Sequence, residues 1–291
     1  MGDRRNATPV AAATSGGTGT TGGTAGILRP EEFARHVALR RLPPAPDLAP
    51  WVENHWVLRW DLPDGVTYPS QVLPHPTCNL TVERGVRRVG APPVAVLLTG
   101  PVTRRFDVET TGRGWVWGVR FRPGGLAALA GLDASRLAER TLAAADLLPD
   151  AVVTALDALH DTGAPLEDDR ARVEAALRPL AHGPDPDHEL VLALVAEMLA
   201  DRTLVRVSQV TERHGLSTRR LQRLFARYVG VGPKWVLARH RMHDVVAALD
   251  AGDDRSLADL AAAHGWYDQA HFTRDFSALV GVTPARYRAG R

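Results

Sequence analysis

The sequence predicts an α+β fold: an N-terminal small β-barrel or sandwich with following helices, then a C-terminal all-α domain of two helix-turn-helix units joined by a linker helix. Three observations predict it. Residues from about 51 to 121 run in short Val-, Trp-, Tyr- and Thr-rich segments separated by Pro and Gly. After Pro123-Gly124-Gly125 the chain turns Ala- and Leu-rich with helical spacing. Its last ninety or so residues contain an approximate repeat of about fifty.

At 291 residues the chain is long enough for two domains, each with its own core. Residues 2–26 are Gly, Thr, Ala and Ser with almost no large apolar group, too little to offset the entropy of ordering, so a disordered tail is expected, with its boundary set at 28. The segments Trp56 to Trp60, Val94 to Thr99 and Trp115 to Phe121 have the composition of strands. Helical spacing follows at Val152, Leu156 and Leu159, and again at Val173, Leu177 and Leu180. The polar run His182-Gly183-Pro184-Asp185-Pro186-Asp187 breaks helices, which divides the chain into 29–182 and 187–291.

One cysteine, Cys78, rules out a disulfide framework and a multi-thiolate zinc site. No export signal and no membrane-length apolar run is read, so a soluble cytoplasmic protein without a membrane partner is expected. Net charge is only +2, but it is polarised. From 203 onward fourteen Lys and Arg face eight Asp and Glu, net +6, which leaves the first 202 residues at −4. Between Ser217 and Arg241 lie seven basic residues (Arg219, Arg220, Arg223, Arg227, Lys234, Arg239, Arg241) and no acid, the densest cationic stretch in the chain.

In the first copy of the repeat, His214-Gly215-Leu216 precedes Leu221, Arg223 and Phe225 and then Val229-Gly230-Val231-Gly232-Pro233. In the second, His264-Gly265-Trp266 precedes Phe272, Arg274 and Phe276 and then Val280-Gly281-Val282-Thr283-Pro284. Each copy reads as helix, tight turn at Gly, second helix and a Gly-Val-x-Pro stop, over about 204–229 and 256–280. Val207, Val210, Leu221, Leu224, Phe225 and Tyr228 make one core face. Arg219, Gln222, Arg223 and Ala226 fall opposite, with Ser217 as helix cap. In the second copy Leu257, Leu260, Phe272, Phe276 and Leu279 point inward, leaving Gln269, Ala270, Thr273 and Arg274 outward. Ser256 with Asp259 forms a capping-box pattern there. Arg pairs bidentately with guanine and Gln with adenine, and surrounding cations meet phosphates, so these faces suit double-stranded DNA. A single such helix would more often be a plain solvated face; two copies with matched turns and stops argue against that.

Residues 203 to 288 resemble the DNA-binding domain of the AraC/XylS regulators. The resemblance rests on His214-Gly215-Leu216-Ser217, Leu221-Gln222-Arg223-Leu224-Phe225, Gly230-Val231-Gly232-Pro233, Arg239 through Met242, the run from His264 to Phe276, and Gly281-Val282-Thr283-Pro284-Ala285-Arg286-Tyr287-Arg288. It implies a transcription regulator, not an enzyme, with a linker helix over about Pro233 to Leu249 setting the two recognition helices into successive major-groove turns roughly 34 Å apart. Carried over by position, Ser217, Thr218, Arg219, Gln222, Arg223 and Arg227 would contact DNA in the first unit, and Gln269, Ala270, His271, Thr273 and Arg274 in the second. Arg206 stands where the family often has a capping Ser or Thr, so fraying of the first helix is expected. The part from about Pro50 to the 170s resembles the poorly characterised domain preceding this module in many actinobacterial relatives, through Trp51, Trp56, Leu73-Pro74 and the run Gly118 to Gly125. That analogy implies an effector sensor, a dimerisation domain, or both, with RNA polymerase a further partner.

Within the N-terminal part, Trp56, Trp115, Trp117 and Arg120 are candidates for binding a small-molecule effector. The tryptophans also fit a simple core, and Arg120 and Arg122, flanking Phe121, fit either an anion site or, better, plain exposure. His55, His75 and Cys78 follow no metal-ligand spacing, and no metal or cofactor is expected. Fusion of this module to DNA-alkylation repair transferases needs a cysteine cluster that one cysteine cannot supply. No nucleophile motif of the Gly-x-Ser-x-Gly kind occurs.

Overall fold

The computed structural model describes residues 26–85, 88, 90–201 and 203–290. Most of the expected disordered tail lies outside these residues, but its last two positions depart from expectation. Ile27 bridges Val72, and the Leu28 N–H donates to the Gln71 carbonyl at 2.9 Å, both side chains being buried. Two aliphatic groups with cores to enter outweigh the polar composition before them: Ile27 packs with Phe33 and Trp60, Leu28 with Phe272 of the C-terminal part.

A short helix α1 (Pro30–His36) leads into β1 (Ala38–Leu42), β2 (Val52–Asp61), β3 (Thr67–Val72), β4 (Asn79–Arg84), β5 (Val96–Thr99), β6 (Phe106–Thr111) and β7 (Arg113–Phe121), with β8 (Thr141–Ala143) after α2 (Gly125–Ala130). Six strands form one antiparallel sheet in the order β1-β2-β7-β4-β5-β8, and β3 pairs with β6 in a second. Of the expected barrel or sandwich, the N-terminal part thus forms two separate sheets, and with the helices that follow it has the expected α+β class.

The central strand β7 sends alternate side chains to opposite faces, as a pleated strand must. Trp115, Trp117, Val119 and Phe121 enter a core closed by α2, α3 (Asp150–Asp157) and α4 (Leu166–Leu177), through Leu126, Leu129, Val152, Leu156, Val173 and Leu177. Of these, α3 and α4 are the helices read from the spacing of Val152 and Val173. Val116 and Arg120 face the other way, toward β3 and β6. On that face Gly118 makes room for Trp56: a Cβ there would stand 2.0 Å from the indole.

After the polar run, α5 (Pro186–Ala200) is capped by Asp185, whose carboxylate accepts from the N–H groups of Asp187 and His188 at 3.0 and 3.2 Å. The same carboxylate accepts the Tyr228 hydroxyl at 2.7 Å. Ala127 and Ala134, from before the polar run, share a core with Val191, Leu194, Phe225 and Val229. The run is therefore a covalent joint whose two sides are packed together, and a cut at 187 would remove the cap of α5 and the partner of Tyr228.

The first repeat folds as α6 (Val207–Arg213) and α7 (Thr218–Leu224), the latter continuing through a π-turn over Phe225–Val229 to Gly230, whose φ of +78° ends it. The linker helix α8 spans Pro233–Asp250, one residue beyond the expected Leu249. The second repeat is α9 (Leu257–Ala263) and α10 (Gln269–Val280), followed by α11 (Pro284–Ala289). Among the described residues no helix is long and apolar enough to cross a membrane.

Candidate nucleic-acid interface and effector cavity

Each helix-turn-helix unit is held by its own apolar pins. In the first, Val210, Leu221, Leu224 and Phe225 are buried and Val207 packs against them. In the second, Leu260, Phe272, Phe276 and Val280 are buried, with Leu257 and Leu279 alongside. The turns at Gly215 and Gly265 sit at φ +61° and +79°, where a side chain would be strained. Ser217 caps α7 by accepting from the Arg220 N–H at 3.2 Å; Asp268 caps α10 by accepting from the His271 N–H at 2.6 Å. Ser256 accepts from the Asp259 N–H at 3.0 Å, and Asp259 returns to the Ser256 hydroxyl, not to its backbone.

The expected fraying of α6 at Arg206 is corrected by a cap the sequence reading missed. The Gln209 side-chain oxygen accepts from the N–H groups of Val205 and Arg206 at 3.0 and 2.8 Å, and its amide donates to the Thr203 carbonyl at 3.1 Å. One glutamine three residues into the helix thus closes its open end.

Folding sorts the dense cationic stretch into two groups. Arg220 pairs with Asp187, and Arg239 is buried against Pro74 and His75. Arg241 lies 4.9 Å over the Trp266 ring and donates to the Gly265 carbonyl at 2.7 Å. Arg227 leans over Tyr228 toward the Leu132 carbonyl, away from the start of α7. Arg219, Gln222 and Arg223, by contrast, are exposed, and among the described residues no side-chain hydrogen bond or ion pair holds them. Ser217 and Thr218 are exposed at the start of the same helix, and Ala226 at its end. In the second unit Gln269, Ala270 and Arg274 are exposed and unheld in the same sense, while Thr273 is half-buried. His271 lies 3.3 Å from Asp275, which also accepts the Trp266 indole N–H at 2.9 Å. That carboxylate lowers the positive potential beside His271, so the two exposed helix faces differ: the charged side chains of the first are all cationic, those of the second mixed.

Between the two sheets of the N-terminal part lies a mostly apolar cavity of about 200 Å³. Phe33, Leu58, Trp60 and Phe106 line it, with Trp56 and Arg120. Of the four residues proposed for an effector, then, two line the cavity. Trp115 and Trp117 do not: strand alternation turns them into the helix-covered core on the opposite face. Arg120 is not the exposed residue favoured by sequence. It reaches into the cavity with Glu53 3.8 Å from its Nε, whereas Arg122 is exposed and donates to the Ala49 carbonyl at 2.7 Å. Sequence reasoning also missed Arg41, on the face of β1 shared with Leu39, and Thr77, both at the cavity.

The three residues weighed as metal ligands separate. The Trp117 indole N–H donates to His55 Nδ1 at 3.3 Å, and His55 Nε2 faces Glu174 Oε1 at 3.3 Å. An indole can donate only to a lone pair, so the ring is neutral with its proton on Nε2. Burial pushes its pKa down to about 4, against the opposing pull of Glu174. His75 stands at the junction with α8 beside Arg239 and His243. Cys78 is buried, and burial pushes its thiol up to about 12, far from a reactive thiolate.

Comparison with known proteins matches residues 40–143 to a domain of unknown function, DUF6597, and residues 210–290 to a helix-turn-helix domain. The curated protein described as probable transcription factor PqrA of Proteus vulgaris is 29% identical over 84 residues, 29% of this chain and 68% of that protein. Among solved structures, ToxT from Vibrio cholerae in a 1.65 Å form aligns at 10% identity and a TM-score of 0.38, covering 87% of this chain and 97% of that one. The unsaturated-fatty-acid-bound form of ToxT aligns at 12% and 0.38, covering 87% and 94%.

Proposed function

Starting from a chain that places an AraC-type helix-turn-helix domain behind a domain of unknown function, we propose a sequence-specific DNA-binding transcription regulator in which one chain reads two adjacent major-groove segments. The observation that carries this reading is the sorting of the cations: Arg219 and Arg223 on α7 and Arg274 on α10 stay exposed and unheld among the described residues, while neighbouring arginines are engaged within the fold. A guanidinium with no internal partner is available to guanine edges or phosphates. In this reading Ser217, Thr218, Arg219, Gln222 and Arg223 serve the first groove and Gln269, Ala270, His271, Thr273 and Arg274 the second. Ala270 offers only apolar contact to a thymine methyl. Arg227 serves at most a flanking phosphate, given its lean toward Leu132.

Control by a small molecule is part of the proposal. The cavity between the sheets is where it would bind, through Trp56 and Arg120 and not through Trp115 or Trp117. The linker helix touches that cavity's wall, since Arg239 donates to the Pro74 carbonyl. Binding of the whole chain to genomic fragments across a salt series tests the DNA reading. Retention that falls steeply with salt and concentrates on few sites is expected; no retention at low salt contradicts it.

A further inference from the structure

The turns of the two helix-turn-helix units differ by one residue. After Gly215 the first unit passes through Leu216 straight to its cap, Ser217. After Gly265 the second passes through Trp266 and then Tyr267 before its cap, Asp268. Each recognition helix buries the side chain four residues after its cap, Leu221 and Phe272, so the added residue lies wholly in the turn. Its neighbours are fixed on both sides. Trp266 is buried, with its indole N–H on Asp275 and the Arg241 guanidinium over its ring, and Arg241 also donates to the Gly265 carbonyl. Asp268 is held by the cap it makes with the His271 N–H. Tyr267, between them, is 93% exposed.

The fold gives the chain's other three tyrosines a place. All are buried: Tyr228 donates to Asp185 at 2.7 Å, Tyr287 donates to Asp250 at 2.9 Å, and Tyr68 stacks on His36 with ring centroids 4.5 Å apart. Neither the ring nor the hydroxyl of Tyr267 has a partner among the described residues. A lone exposed apolar group needs no explanation; a phenol fixed in place beside exposed Gln269 and Ala270 is a different matter. The N-terminal residues of a recognition helix meet base edges, so the residue before the cap borders the rim of the groove, where sugars and phosphates lie. Local charge also suits a phenol there. Elsewhere in this chain an arginine two residues from an aspartate closes on it, as Arg105 does on Asp107 and Arg255 on Asp253. A cation at 267, next to Asp268, would be drawn inward in the same way. A phenol is neutral, donates one O–H and offers an apolar face.

We propose that Tyr267 grips the DNA backbone beside the second groove segment, its hydroxyl donating to a phosphate oxygen and its ring covering the adjoining deoxyribose, so that it seats α10 without reading a base. The proposal rests on the regulator reading above and adds a contact to it. Its signature differs from that of an arginine. Cations that neutralise phosphates release counterions and so make affinity depend on salt. A neutral donor releases none, and its contribution is the same at every salt concentration.

The probes are a genomic fragment retained by the full chain and a duplex of random sequence. Tyr267→Phe removes only the hydroxyl and is expected to weaken binding to both about tenfold, the loss of one hydrogen bond to a charged acceptor. Its salt slope and melting temperature are expected to match those of the unmutated chain, and Tyr267→Ala is expected to weaken both duplexes further. Tetranitromethane gives a second reading without mutation. Tyr267, the one exposed tyrosine among the described residues, is expected to be nitrated in the free chain and protected when either duplex is bound. Unchanged binding by Tyr267→Phe, a loss confined to the genomic fragment, a shallower salt slope, a lowered melting temperature, or nitration undiminished by DNA overturns the proposal. If the unmutated chain binds DNA and Tyr267 proves indifferent, only this inference fails; if the unmutated chain is not retained even at low salt, the regulator reading fails and this inference with it.

Discussion

The two halves of the molecule use arginine in opposite ways. Around the N-terminal cavity Arg41 and Arg120 are drawn in from solvent, and Arg239 is brought to them from the linker helix. On α7 and α10, Arg219, Arg223 and Arg274 stand in solvent with nothing to hold them among the described residues. A count of basic residues along the sequence treats these groups alike. What separates them is whether the fold supplies a partner, and the difference teaches which cations are left for a partner outside the chain: those on α7 and α10.

Variants that strike the buried side should cost stability, and those that strike the exposed side should cost binding. The largest effect expected is on acidification. His55 has its pKa lowered from 6.5 to about 4, so the unfolded chain takes up the proton first. Its contribution is complete above pH 6.5 and is lost as pH falls from there toward 4, about 3 kcal/mol in all. Denaturant melts across that range should show the loss, and His55→Gln should flatten it; an unchanged slope contradicts the neutral-ring assignment. Next comes Glu53→Ala, which leaves the buried guanidiniums without their shared carboxylate. About 2 kcal/mol is expected, less than a fully buried pair because Glu53 is a third exposed, and chemical denaturation reads it.

On the exposed side, Arg223→Ala and Arg274→Ala should each weaken binding to the preferred site by about 1–3 kcal/mol and relax its sequence preference, with melting temperature unchanged. Equal loss on random DNA would assign both to phosphates. The smallest effect belongs to Arg219→Ala: stability within about 0.5 kcal/mol, and a salt slope shallower by about one phosphate contact. If Arg219→Ala instead destabilised the fold, the contrast between the halves would break at that residue.

Much of the C-terminal architecture was legible because it is local. The Gly215 and Gly265 turns, the linker helix from Pro233 and the outward positions Arg219, Gln222, Arg223, Gln269, Ala270 and Arg274 follow from helical period and capping within short windows. Strand alternation was legible too, and applied strictly it would have separated Trp115 and Trp117 from Arg120, which stands at odd spacing from both. The rest depends on distant pairing. Trp56 belongs to the cavity because β2 pairs with β7 in a register that sets it opposite Gly118, and the far wall comes from β3 pairing with β6. The burial of Arg239 depends on Pro74, 165 positions earlier in the chain. No periodicity records such contacts, and that is why one residue of the densest cationic stretch belongs to the junction between the halves.

The central claim is that a single chain reads two neighbouring groove segments, and a hydroxyl-radical footprint on the preferred site tests it most directly. Two protected blocks one helical turn apart are expected, with Arg223→Ala weakening one and Arg274→Ala the other. A single block, or both variants erasing the same one, would contradict it.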